Sequence, residues 1–277
     1  MRKRGLLVGV VSAVAAVVGA TGLVSTADAV HVVCGQVITQ NTTLDTNLIG
    51  CTNNGIVIGA DNITLNLAGR TVSGTGVPGD GAGILAVGRT GVTIAGGVVS
   101  GFDGGVVIQG GARNTVRQVV VQDNVGRIND PVLPNTPYAD GILILDSSNN
   151  QVLNNQALRN GPLSGIGLRG NSDNNLVQGN LSESNRALLS GPSPESSLVD
   201  DMGYRLDGIG ERLPNFNLLQ FNNARNNGQD GFSLFTGAND NRLVGNISTS
   251  NGFDGPEHFR GSGIKMHHDT RRTYVTG

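Results

Sequence analysis

Past residue 29 the chain carries one lysine, Lys265, and three of its four histidines, His258, His267 and His268, lie close to it. Glycine-led apolar runs recur up to and through this region: "GILAV" (83–87), "GVVIQ" (105–109), "GILIL" (141–145), "GIGLR" (165–169), "GYRLD" (203–207), "GFSLF" (231–235) and "GIKMH" (263–267). If each run is a strand, alternate side chains share a face. The first and third apolar residues then point inward. The outward stripe is apolar in its N-terminal half, through Val107, Leu143 and Leu145. It is charged in its C-terminal half, through Arg169, Arg205, Asp207, Lys265 and His267, with Ser233 and Phe235 between them.

Arg169 and Arg205 suit bidentate binding of carboxylates. Phe235 offers a flat face to a sugar ring, and Lys265 or His267 could take up a proton as a base. Asp207, two residues from Arg205, reads either as a paired surface charge or as a general base tuned by its arginine neighbours. Such a set suits a groove for an anionic or hydroxyl-rich polymer. Both arginines are expected to point outward, so replacing them with alanine should barely alter stability. Tyr138 and Asp140 form a second place to look. A separate acidic set, Asp103, Asp140, Asp201 and Asp230, precedes strands at nearly equivalent corners. Stacked carboxylates can hold Ca²⁺ through oxygen ligands, whereas Asp-Gly at a corner is also ordinary turn chemistry. Both readings stay open, and no other cofactor is implied.

The elements that carry these residues follow from a second pattern. "NQVLNNQALRN" (150–160), "NLVQGNLSESN" (175–185), "NLLQFNNARNN" (217–227) and "NRLVGNISTSN" (241–251) all read N-x-[VL]-x-x-N-x-x-x-x-N. Each unit holds three short strand-like runs separated by Ser, Asn and Gly, which leaves no room for an ordinary helix. A coil of three short strands stacked on like coils is a parallel β-helix. Asparagines at the corners would then stack in columns, one through Asn155, Asn180, Asn222 and Asn246 and another through Asn160, Asn185, Asn227 and Asn251, their amides bonded from coil to coil. We expect all-β architecture of about nine coils, with the corner asparagines themselves in left-handed geometry. Longer segments at 126–138 and 186–198 are placed to wall a groove. A leucine-rich repeat is excluded by the absence of its fixed L-x-x-L-x-L frame.

"MRKR", the apolar run to Val24 and "STADA" make residues 1–29 a secretory signal peptide. Removing Arg2, Lys3, Arg4 and Asp28 from nineteen basic and twenty-one acidic side chains leaves a net charge of −4. That balance argues against nucleic acid as a partner, and no second stretch is apolar enough to span a membrane. Cys34 and Cys51, an isolated pair in a secreted chain, are expected to form a disulfide on an N-terminal cap over 30–52. The repeats then fill 53–277. No cap is evident after the last run, so two expectations stay open: the chain is truncated there, or that end is covered by self-association.

The [DS]-G-[IF]-x-[LIV] strand followed by N-x-[VL]-x-x-N resembles the right-handed parallel β-helix repeats of secreted bacterial proteins, over roughly residues 53–267. That group includes pectate-lyase-like enzymes, alginate epimerases and NosD-type periplasmic proteins. The resemblance implies the fold and leaves the activity open. Trp is absent, which excludes a W-I-D-H segment, and "DD" at Asp200–Asp201 lacks a following G-H-G. "NGFDGPEH" (251–258) only partly matches an epimerase-like Y-G-F-D-P-H-E. Two functions are therefore expected: a surface that binds polysaccharide without catalysis, or a lyase or C5-epimerase acting on uronic-acid polymers.

Overall fold

The structure is a computed structural model that describes residues 29–128, 136–186, 202–209, 211–235, 237–252, 261–267 and 269–277. The expected signal peptide, except its last residue, lies outside the described residues, as do Asp201, His258 and His268. Every regular element described is a strand.

One sheet has nine strands, one per coil, running in chain order from Gln36–Ile38 to Ile264–Met266, each parallel to the next. A second sheet of sixteen strands wraps the other sides. The chain is thus a single right-handed parallel β-helix, as the repeats predict. Gln36–Ile38 already pairs with Ile56–Ile58, and Leu48–Cys51 pairs with Thr71–Gly74. The segment read as a cap has the form of a coil, pinned by the Cys34–Cys51 disulfide with Cα atoms 5.4 Å apart.

Register aligns like with like. Val106, Ile142, Ile166, Tyr204, Phe232 and Ile264 are successive partners in the nine-stranded sheet. All but Ile264 are buried in the central core, where the rings of Tyr204 and Phe232 stack at 4.6 Å. In the last coil the inward residues Ile264, Met266 and Val275 are exposed, because no described coil covers them.

Asparagine ladders line all three corners. Beyond the two expected columns, a third runs through Asn114, Asn150, Asn175, Asn217 and Asn241. Within a ladder each Oδ1 accepts both the backbone N–H and the side-chain amide of the asparagine one coil earlier; Asn160 donates to Asn185 in this way at 2.9 and 3.2 Å. Most amides also reach a backbone carbonyl, as Asn185 does to Ala157, while Asn150 reaches the Ser147 hydroxyl. Left-handed geometry belongs to the residue before the ladder asparagine, not to that asparagine: Asn154, Gly179, Phe221 and Gly245 have φ between 54° and 67°. That turn aims the next side chain into the corner, where it meets its counterparts. The ladder also explains the leading glycine of the strands from Gly105 to Gly231. A Cβ on Gly165 would lie 2.1 Å from Ser182 Oγ and 2.6 Å from Asn185 Nδ2.

Candidate functional site

The outward side of the nine-stranded sheet carries three columns. Register places Asp140 beside Ser164, Ser164 beside Met202, and Met202 in line with Asp230. The middle column runs Val107, Leu143, Gly167, Arg205, Ser233, Lys265, and the outer one includes Gln109, Leu145, Arg169 and Asp207. Alternation therefore selects the correct side. It does not yield an exposed stripe. Val107 and Leu143 are fully buried and form a second apolar cluster with Ala82, against which Leu85, Tyr138 and Leu145 pack. Tyr138, at the end of the long segment after 126, packs on the sheet; residues 129–135 and 187–198 of the two expected walls lie outside the described residues. Burial raises the Tyr138 phenol above its ordinary pKa.

The charged half is also largely internal. Arg205 is 7% exposed, donates from Nη2 to Asp207 Oδ2 at 2.7 Å and lies 4.5 Å over the Phe235 ring. Phe235 meets the His267 ring on stacking at 3.8 Å between centroids. Two expectations are corrected here. Arg205 is not an outward, dispensable charge, because removing it would strand Asp207, whose side chain is only 15% exposed. Phe235 does not offer a free face to a sugar, because Arg205 and His267 occupy it. Asp207 is paired, yet it is not a surface charge.

Asp140 is fully buried. Ser164 Oγ donates to its Oδ1 at 2.5 Å, and Arg169 Nη1 lies 3.7 Å from its Oδ2, which makes no hydrogen bond among the described residues. Burial raises its pKa, although Arg169 and the Ser164 hydroxyl pull the other way. The next coil has Gly167 where a side chain would otherwise cover this carboxyl: a Cβ there would come within 2.9 Å of Asp140 Oδ1. Three coils on, Asp230 accepts from the Ser262 N–H at 2.7 Å and from Ser233 Oγ at 3.3 Å. Lys265 Nζ is 3.8 Å away, and Ser233 Oγ also sits 3.3 Å from His267 Nε2. Lys265 is the most open group of this set, its side chain 42% exposed.

The structure thus joins Arg205, Asp207, Phe235, Ser233, His267, Lys265 and Asp230 in one connected cluster, with Arg169 one coil and Asp140 two coils before its Arg205 end. Ser164, Ser233 and Gly167 were not singled out from sequence as site residues. The signal was present, since small polar residues occupy outward columns otherwise filled by large ones. The described members of the acidic set, Asp103, Asp140 and Asp230, do not converge. Asp103 lies one position out of register with Asp140 and is spent on the backbone N–H groups of Gly79 and Gly81, burial raising its pKa. Asp140 and Asp230 are three coils apart, about 14 Å at the stacking repeat. Among the described residues no three His, Cys, Asp or Glu side chains gather as metal ligands would.

Among solved structures the chain is similar to a periplasmic alginate epimerase, AlgG, with 19% identity and a TM-score of 0.52 over 79% of this chain and 46% of that one. It spans less than half of that protein. It is also similar to tailspike protein 2 of the Escherichia coli O157:H7 bacteriophage CAB120, at 14% identity and TM-score 0.46 over 87% of this chain and 38% of that one. An alginate lyase from Paenibacillus sp. str. FPU-7 gives 11% identity and TM-score 0.39, covering 87% and 91%. Likeness at these identities concerns the fold alone. No curated protein matches the chain in sequence. Residues 28–277 match the family described as right handed beta helix region, and the chain belongs to that family.

Proposed function

We propose that this is an extracytoplasmic carbohydrate-binding protein whose ligand meets the C-terminal end of the nine-stranded sheet at Lys265 and His267. One observation carries the reading. The only lysine after residue 29 is half open to solvent, beside a histidine, on a continuous path of polar contacts through Ser233 to the buried Asp230. A buried carboxylate behind an exposed ammonium holds the cation in place for a ligand. Arg169, its side chain 22% exposed, extends the polar surface three coils toward the N-terminus. The other cation of the stripe, Arg205, serves Asp207 and Phe235, so it supports the floor and does not contact the ligand. The disulfide supports an oxidising compartment. The epimerase that shares the fold is named for alginate, which makes a polyuronate the first polymer to try.

A second reading, a lyase or C5-epimerase, is favoured by the Ser233–His267 contact. An imidazole held by a hydroxyl and adjacent to an ammonium could remove a proton next to a carboxylate that the ammonium neutralises. Incubating the mature protein with alginate and pectin, with and without Ca²⁺, separates the two. Unsaturated-uronate absorbance reports a lyase, and proton NMR of the polymer reports an epimerase. Binding that weakens in the Lys265→Gln and His267→Gln variants, with both assays silent, supports the binding protein. Unchanged binding in both variants removes the site.

A further inference from the structure

We propose that the sixteen-stranded sheet carries a second, separate docking face for an acidic polysaccharide strand, built on Phe216, Phe221, Tyr274 and Arg242. Phe216 and Phe221 are 59% and 62% exposed, and Tyr274 is 55% exposed. The first two flank the strand Leu218–Gln220 at its corners. Tyr274 lies on the same face two coils on, in register with Leu218 through Arg242. Both phenylalanines hold left-handed backbone, φ 57° and 54°. The equivalent corners one coil away are Asn174 and Asp240 for the first, Gly179 and Gly245 for the second. Those are the residue types that left-handed geometry accepts, whereas a bulky side chain there is strained.

Neither ring is part of the core, and both remain mostly solvated, so their burial offsets little of the backbone strain. A ligand face accounts for both features. Phe221 is moreover seated: a Cβ on Gly245 would lie 2.8 Å from its ring, so the bare glycine lets the ring rest against the corner of the next coil. That leaves a fixed platform with one side to solvent.

The occupant follows from size and charge. Three rings of this exposure present on the order of 300 Å², well under the roughly 800 Å² per partner that a stable dimer buries. The two phenylalanines are five residues apart, at most about 16 Å along a strand, which makes a narrow track. Its floor carries hydrogen-bonding planes, the Gln220 amide bonded to Gln178 at 2.5 Å and the guanidinium of Arg242, 5.8 Å from the Tyr274 ring. Rings for the apolar faces of sugars, amides for hydroxyls and one cation for carboxylates match an acidic polysaccharide strand. This face shares its ligand class with the proposed function and rests on different residues.

Affinity electrophoresis of the mature protein through gels containing alginate, pectin or dextran tests it. The Phe216→Asn/Phe221→Asn double variant should raise Kd for the acidic polymers at least tenfold, with a Tm equal to or above that of the parent, because asparagine relieves the left-handed strain. Arg242→Gln should weaken acidic binding several-fold. Unchanged migration of the double variant, or a Tm several degrees lower, overturns the proposal. So does equal retardation of the parent by dextran, or a parent that sediments as a dimer while the double variant is a monomer. Loss of binding in Lys265→Gln/His267→Gln alone would leave only the first site. Loss in the double phenylalanine variant alone would leave only this one, and a parent retarded by none of the three polymers sinks both.

Discussion

The two halves of the nine-stranded sheet share one backbone and opposite outer surfaces. From Ala82 to Leu145 the outward side is greasy and covered, with Val107 and Leu143 wholly buried beneath Tyr138. From Arg169 to His267 the same positions hold paired charges, Arg205 with Asp207 and Lys265 with Asp230. The inner columns stay apolar through both halves, and the asparagine ladders, which begin at Asn114, Asn124 and Asn155, run on through the charged half. The interior of a solenoid is constrained at every coil, because a change there disturbs the coils on both sides. The outside is constrained only by what lies on it, so it can hold a packing surface in one half and a chemical cluster in the other.

The largest test of that contrast is Arg205→Ala. It strands a mostly buried carboxylate and should lower stability by about 4 kcal/mol in urea unfolding. Arg205→Met, which fills the same space over Phe235 but also leaves Asp207 unpaired, should lose somewhat less. A loss within the range of ordinary surface changes would mean that the charged half is solvated after all. In the apolar half, Leu143→Ala should lower stability by about 3 kcal/mol through lost burial and a cavity. That loss should not change with salt, since no charge is removed. If Leu143→Ala is silent, Tyr138 does not hold that surface.

A subtler outcome is expected at the seam between the halves. Burial raises the Asp140 pKa, so its contribution to stability is fully present below the unfolded value and falls as pH rises toward the folded one. Asp140→Asn removes that dependence. The Tm of the variant relative to the parent should therefore climb from about pH 4 upward and level off once the parent's carboxyl ionises. A difference that stays flat across this range would mean that Arg169 fully compensates the buried charge. The smallest effect should come from Lys265→Gln, at the open end. Stability should fall by less than about 1 kcal/mol, because Lys265 is 42% exposed and Asp230 keeps the Ser262 N–H and the Ser233 hydroxyl, while polymer binding weakens, which separates a ligand contact from a structural pair.

Residue types and spacing alone carried the solenoid, the position of its coils and two of its ladders, because a period near one coil imposes the same environment again and again. The disulfide was legible for the same reason that it forms: two isolated cysteines, Cys34 and Cys51, close together in the first coil. Alternation also identified which residues of each strand leave the core. Three things depended on the tertiary structure. Left-handed geometry sits one residue before each ladder asparagine, as at Asn154 and Phe221, since the corner must aim the next side chain inward. Asp103 and Asp140 fall out of register, since two glycines separate Asp103 from its strand's first inward residue, Val106, and one separates Asp140 from Ile142. The exposure of Val107, Leu143, Arg205 and Phe235 was misread from alternation, because strand period says which side of a sheet a residue occupies and nothing about what packs on that side.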